Sequence, residues 1–190
     1  KNGNYMVFFP SYAFMQSVYE IIAERELSKA GNGIKIILQE SAMTEQARED
    51  FLKSFKTDVM STVIGFCVLG GIFSEGIDLK EDRLIGAVIV GTGLPQTGGE
   101  RELLKNYFDK KSGNGFDFAY LYTGMNKVLQ AAGRVIRTEN DRGIIALLDE
   151  RFNYSQYRNL FPREWFPNER VDIYSIEEKI NKFWERSEER

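Results

Sequence analysis

The chain has no histidine and a single cysteine, Cys67, among its 190 residues. Without an imidazole, Ser-His-Asp and Cys-His catalysis and histidine-based metal centres are excluded. One thiol allows neither a disulfide framework nor an intrachain cysteine cluster for zinc or iron–sulfur. Cys67 sits in an apolar, strand-like run and reads as a small buried core residue. No apolar run reaches the roughly 18 residues of a membrane span. No charged-then-apolar leader opens the chain, so a soluble, cytoplasmic protein without a membrane partner is expected. Charge of one sign is also scarce, the net being −3. A polyanion would therefore have to be met by a local patch or by backbone amides. Neither a repeat nor a low-complexity tract is present. The opening Lys1-Asn2-Gly3-Asn4 lacks an initiator methionine and enters a strand almost at once. This suggests a piece of a longer polypeptide, monomeric as a fragment.

What is present fits one globular domain over 1–190, with 43% apolar and 13% aromatic residues. Apolar runs of strand length alternate with helix-period segments, the pattern of an α/β fold with a mainly parallel sheet. Strands are expected at Tyr5–Phe9, Ile34–Leu38, Ser61–Leu69, Ile85–Val90 and Gly143–Leu148. Ser11 is placed to cap a helix running to about Lys29, with Phe14, Val18, Ile21 and Ile22 on its apolar face. Thr44 is placed to cap another, carrying Ala47, Phe51, Leu52 and Phe55. Further helices are expected from about Glu100 to Lys111 and from about Met125 to Arg137. Residues 150–190 form an aromatic-rich extension, ending in a helix that Ser175 and Glu178 open as a capping box.

The segment Gln130-Ala131-Ala132-Gly133-Arg134-Val135-Ile136-Arg137 carries the most chemistry. If helical, Gln130, Arg134 and Arg137 (i, i+4, i+7) share one face, and Val128, Leu129, Ala132, Val135 and Ile136 can bury the other. Two guanidinium forks on a rigid element can be aimed at a phosphate. In an open parallel sheet, ligands sit at the carboxyl ends of the strands. Phe9-Pro10-Ser11, the glycine-bearing loop Gly70–Leu79 and Gly91–Pro95 all fall at such ends. Each signal alone also fits an ordinary turn or a solvated helix face.

Together, and in this order, they resemble a known family. Val7-Phe8-Phe9-Pro10-Ser11-Tyr12 looks like motif IV of the XPD/DinG-like helicases of superfamily 2, and Gly71-Ile72-Phe73-Ser74-Glu75-Gly76-Ile77-Asp78 resembles their motif V. The octapeptide from Gln130 resembles motif VI. Asp141-Arg142-Gly143 and Leu148-Asp149-Glu150-Arg151-Phe152 look like the stretch that follows it. The resemblance spans roughly residues 5 to 166.

It implies a RecA-like three-layer α/β/α sandwich, the C-terminal RecA-like half of a 5′ to 3′ ATP-dependent DNA helicase acting in DNA repair. ATP and Mg²⁺ would sit between this domain and an N-terminal RecA-like domain of the same polypeptide. Arg134 and Arg137 would reach the γ-phosphate, with Gln130 beside them. Glu75, Gly76 and Asp78 would line the nucleotide side, while Ser11 and Ser74 would approach single-stranded DNA. Tyr12 would either stack on a base or belong to the core. The phosphate loop and the Asp-Glu-Ala-His segment do not occur here. Any iron–sulfur cluster would belong to the N-terminal half, and the isolated chain would not hydrolyse ATP. The alternative is a non-catalytic nucleic-acid-binding or interaction module with degenerate motor function.

Overall fold

The computed structural model of the chain describes residues 1–26, 33–56, 61–74, 83–136 and 141–188. Five strands, β1 (Asn4–Phe9), β2 (Ile34–Leu38), β3 (Thr62–Val68), β4 (Gly86–Val90) and β5 (Ile144–Leu148), form one sheet in the order β2-β3-β1-β4-β5. Every pairing is parallel, so the expected mainly parallel sheet is wholly parallel. The register sets Phe9 beside Val68, Phe8 beside Ile89 and Val90 beside Leu148. All five carboxyl ends therefore share one edge.

Side-chain alternation along the strands divides the core into two. Met6 and Phe8 of β1, Val63 and Cys67 of β3, and Ala87 and Ile89 of β4 share one face. Against them pack Phe51 of α2 (Glu45–Lys53), Phe55 just beyond it, and Met125, Val128, Ala131 and Ala132 of α4 (Tyr122–Ala132). Val7, Phe9, Ile64 and Phe66 point the other way, onto Met15, Val18 and Ile22 of α1 (Tyr12–Glu26). Helices thus cover both faces, giving the three layers. Gly65 admits the aromatic pair: a Cβ there would stand 2.6 Å from Phe55 Cζ and 3.1 Å from Phe51 Cζ.

Local chemistry sets the helix ends. Ser11 Oγ accepts from Phe14 N (3.2 Å) and Thr44 Oγ1 from Ala47 N (3.2 Å), so both expected caps form. The end of α2 is capped from afar, where Arg83 donates to the carbonyls of Phe55 (3.1 Å) and Leu52 (3.4 Å). Helix α3 (Gly99–Ser112) stops at Gly113, whose φ of 76° suits a residue without Cβ. On α1, Phe14 and Ile21 were expected to face the core, yet they are 48% and 52% exposed.

Further departures are physical. A π-helical turn over Asp117–Leu121 runs directly into α4, so helix begins earlier than the sequence suggests. The same helix also ends earlier, at Ala132, and Ile136 is exposed instead of buried. Near the C-terminus, a short α5 (Ser155–Arg158) brings Tyr157 into the core beside Phe152. The final helix, α6 (Ile176–Glu188), lacks the expected capping box. Ser175 hydrogen-bonds instead with Asp172, whose carboxylate accepts the N–H groups of Tyr174 and Ser175, and Glu178 pairs with Lys182. No described helix is long and apolar enough to cross a membrane.

Candidate functional site

The carboxyl edge of the sheet gathers the segments that sequence singled out. Beyond β1, Leu69 N donates to the Phe9 carbonyl (2.8 Å), tying the Pro10-Ser11 turn to the end of β3. Ser11 is exposed and its hydroxyl is the α1 cap. Tyr12 is neither core nor free: its hydroxyl accepts from Gln39 Nε2 (2.7 Å) and donates to the Glu40 carbonyl (3.4 Å). Desolvation holds that phenol above its usual pKa. Gln39 also accepts from Val68 N (2.9 Å), so one buried amide joins the ends of β2 and β3 to α1. Sequence reasoning passed over Gln39, because only the strand order brings it to β3.

The described start of the loop after β3, residues 69–74, is a hydrogen-bonded turn. Ser74 is fully buried, accepting from Gly70 N (3.0 Å) and donating to the Val68 carbonyl (3.3 Å). Phe73 anchors the loop below, stacked on Phe51 with ring centroids 4.2 Å apart. The Ser74 side chain, expected from the resemblance to approach the nucleic acid, is turned into the loop.

Arg134 meets this loop from the far side of the sequence. Its Nε donates to the Ser74 carbonyl over 3.0 Å. Helix α4 has ended by then: Gly133 turns with ψ near 1°, and the amides of Arg134 and Val135 bond back to Ala131 and Ala132. Gln130 is exposed on the last turn of the helix, whereas Arg134 lies on the turn after it, so the single helical face expected for both is not formed. Buried Val135 pins the turn, packing where a Cβ on Gly143 would fall 2.2 Å from its Cγ1. Glu75, Gly76, Asp78 and Arg137 lie outside the described residues.

A groove of about 420 Å³ opens between these elements, with Pro10, Phe14, Gly91, Gly93, Lys127 and Arg151 on its walls. Gly93 has a φ of 67°, and a Cβ on it would meet the Gly124 carbonyl at 2.8 Å. A Cβ on Gly124 would in turn meet the Thr92 carbonyl at 2.6 Å. This close approach seats the β4 loop directly on α4. Lys127, one turn on, lays its stem over Gly70: a Cβ on that glycine would stand 3.0 Å from Lys127 Cδ. Arg151 is fixed to Asp149 through two hydrogen bonds of 2.8 and 2.7 Å, which hold the Asp149 carboxyl below the usual carboxylate range. The sequence signal for Lys127 was available, three residues before Gln130, but nothing local tells which loop it overhangs.

No group of three or more Asp, Glu, Cys or His among the described residues could hold an ion. Cys67 is fully buried, and burial pushes its thiol well above the ordinary value, away from the thiolate a cluster ligand needs.

Comparison with known proteins agrees with this geometry. A sequence-family profile described as helicase C-terminal domain matches residues 1–168. The ATP-dependent DNA helicase DinG of Photobacterium profundum is 31% identical over 172 residues, covering 90% of this chain and 24% of that protein. The ATP-dependent DNA helicase CHL1 of Debaryomyces hansenii is 28% identical over 162 residues, covering 77% and 20%. A solved XPD helicase superposes with a TM-score of 0.57 at 25% identity, over 83% of this chain and 26% of that one. The chain thus spans about a fifth to a quarter of the curated relatives it matches. With the motif order, the parallel sheet and the profile match in agreement, the chain belongs to the helicase C-terminal domain family.

Proposed function

We propose that this chain is the C-terminal motor domain of an ATP-dependent DNA helicase of the DinG and XPD kind. The observation that carries the reading is the hydrogen bond from Arg134 Nε to the Ser74 carbonyl. It ties the arginine turn to the loop after β3, so a phosphate-sensing guanidinium and a strand-facing loop move as one. Arg134 and Arg137 act as arginine fingers on the γ-phosphate of ATP held by an N-terminal RecA-like domain of the same polypeptide, with Gln130 beside them. Glu75, Gly76 and Asp78 line the nucleotide side. Ser11 offers the single-stranded DNA a hydroxyl at a helix start, and Ser74 fixes the loop that the strand crosses.

Mg²⁺ and the phosphate cradle belong to the N-terminal domain, since this chain has no Gly-x-x-x-x-Gly-Lys-Ser/Thr segment. An ion bound there would supply charge neutralisation of the phosphates, and Arg134 and Arg137 of this chain would stabilise the charge on the transferring group. Closure on ATP and reopening after hydrolysis then step the strand in the 5′ to 3′ direction.

The test is made in the parent polypeptide. Arg137→Ala should lower DNA-stimulated ATP turnover by ~10³ or more with the melting temperature unchanged. Arg137→Lys should recover little, because an ammonium cannot reproduce the planar fork. Turnover near wild type in both variants refutes the finger role. Micromolar ATP binding by the isolated chain in calorimetry would overturn the two-domain reading itself.

A further inference from the structure

The groove beside the motif loops combines features that an anion site alone does not need. Lys127 and Arg151 bring two cations against the single carboxylate of Asp149. Among the described residues no carboxylate pairs with Lys127, whereas Arg151 is held by its neighbour. Phe14 lines the same groove from the first turn of α1, 48% exposed. Its ring lies 6.2 Å from that of Phe9, with a tilt of 40°, so one side is backed by the core and the remainder is open. An open aromatic and a lysine lining one groove with glycine backbone supply what holds single strands: a ring for a base and a charge for a phosphate.

We infer that this groove is a single-strand subsite in which Phe14 stacks on a base and Lys127 takes the adjacent phosphodiester. The inference rests on the helicase reading and adds two contacts to it. Ser11 adjoins Pro10 and lies three residues before Phe14, both of which line the groove, so the proposed contact at that helix start and the subsite are neighbours. Tyr12 is the aromatic that the sequence leaves open between a base and the core. The Tyr12 hydroxyl is occupied by Gln39 and Glu40, and the ring lies on the other side of α1 in a separate hollow with Leu38 and Ser41. Arg151, tied to Asp149, sets the polarity of the groove floor.

The experiment measures binding of a fluorescent oligodeoxythymidylate by anisotropy in the parent polypeptide, across a salt series. Phe14→Ala should weaken binding about tenfold, the loss of one stacked base, and leave the salt slope unchanged. Lys127→Gln keeps the stem over Gly70. It should weaken binding about fivefold and make the log–log salt slope shallower by about 0.7, one phosphate of a single strand. Lys127→Arg should restore both values. A structural role would shift melting temperatures without changing that slope. If both variants bind the oligonucleotide like wild type, the subsite is refuted while the helicase reading stands. If Lys127→Gln weakens ATP instead of the oligonucleotide, the groove belongs to the nucleotide and the inference is overturned. Absence of any DNA-stimulated ATPase in the unmodified parent sinks the helicase reading, whatever the two variants do to oligonucleotide binding.

Discussion

Gly124→Ala sets two opposing effects against each other in the helix that carries Lys127 and Gln130. Gly124 lies inside α4, where alanine is favoured over glycine by about 1 kcal/mol on propensity and chain entropy alone. An exposed helix would therefore gain from the change. Here the new methyl would meet the Thr92 carbonyl oxygen at 2.6 Å, with Leu94 N and Leu94 Cδ2 each at 3.0 Å. Two of those three atoms are backbone and cannot rotate away. The facing residue is itself a glycine in a left-handed conformation, Gly93, already close to the Gly124 carbonyl. Relief requires moving the whole β4 loop off the helix, an overpacking cost of about 2–3 kcal/mol.

The contact outweighs the propensity, leaving a net destabilisation of about 1–2 kcal/mol. For a domain of this size that corresponds to a fall of roughly 3–6 °C in melting temperature. Gly99→Ala supplies the control, because Gly99 opens α3 and a Cβ there has nothing within 4 Å. It should melt at or slightly above wild type. Both variants are compared by thermal unfolding under circular dichroism. A Gly124→Ala protein as stable as the Gly99→Ala control would show that the loop is not seated on α4. The groove floor derived from that seating would then be wrong as well.

Ser74→Ala removes both side-chain hydrogen bonds of the turn after β3 and leaves the Gly70 N–H without its partner, while the Val68 carbonyl keeps the Gly71 N–H (2.9 Å). The expected cost is about 1–3 kcal/mol by denaturant titration, and an unchanged midpoint would refute this description of the turn. Asp149 supplies a pH signature. Its folded pKa is depressed by Arg151, so its contribution is complete above about pH 4 and is lost as pH falls through the folded value. Asp149→Asn should be less stable than wild type at pH 7, with the gap closing toward pH 2. A gap independent of pH would remove the ion pair as its source.

The strands were legible because a buried parallel sheet writes itself as short apolar runs, and β2 and β5 lie within a residue of their expected limits. Capping by Ser11 and Thr44 was legible for the same reason: both partners are a few residues apart. Errors occur where the deciding partner is remote. The spacing of Gln130, Arg134 and Arg137 extends a helix on paper. Gly133 and the Ser74 carbonyl, 60 residues upstream of Arg134, end it in the molecule. Gln39 looked like an ordinary residue after a strand until β3 lay beside β2. Helical period places Phe14 and Ile21 with Val18 and Ile22 on the core face, but α1 packs on the sheet through Met15, Val18 and Ile22, leaving Phe14 and Ile21 exposed. Helical periodicity identifies an apolar stripe without saying how much of its width the sheet will cover. On this helix one residue of the uncovered margin, Phe14, lines the groove, which is why the packing of α1 bears on the proposed subsite.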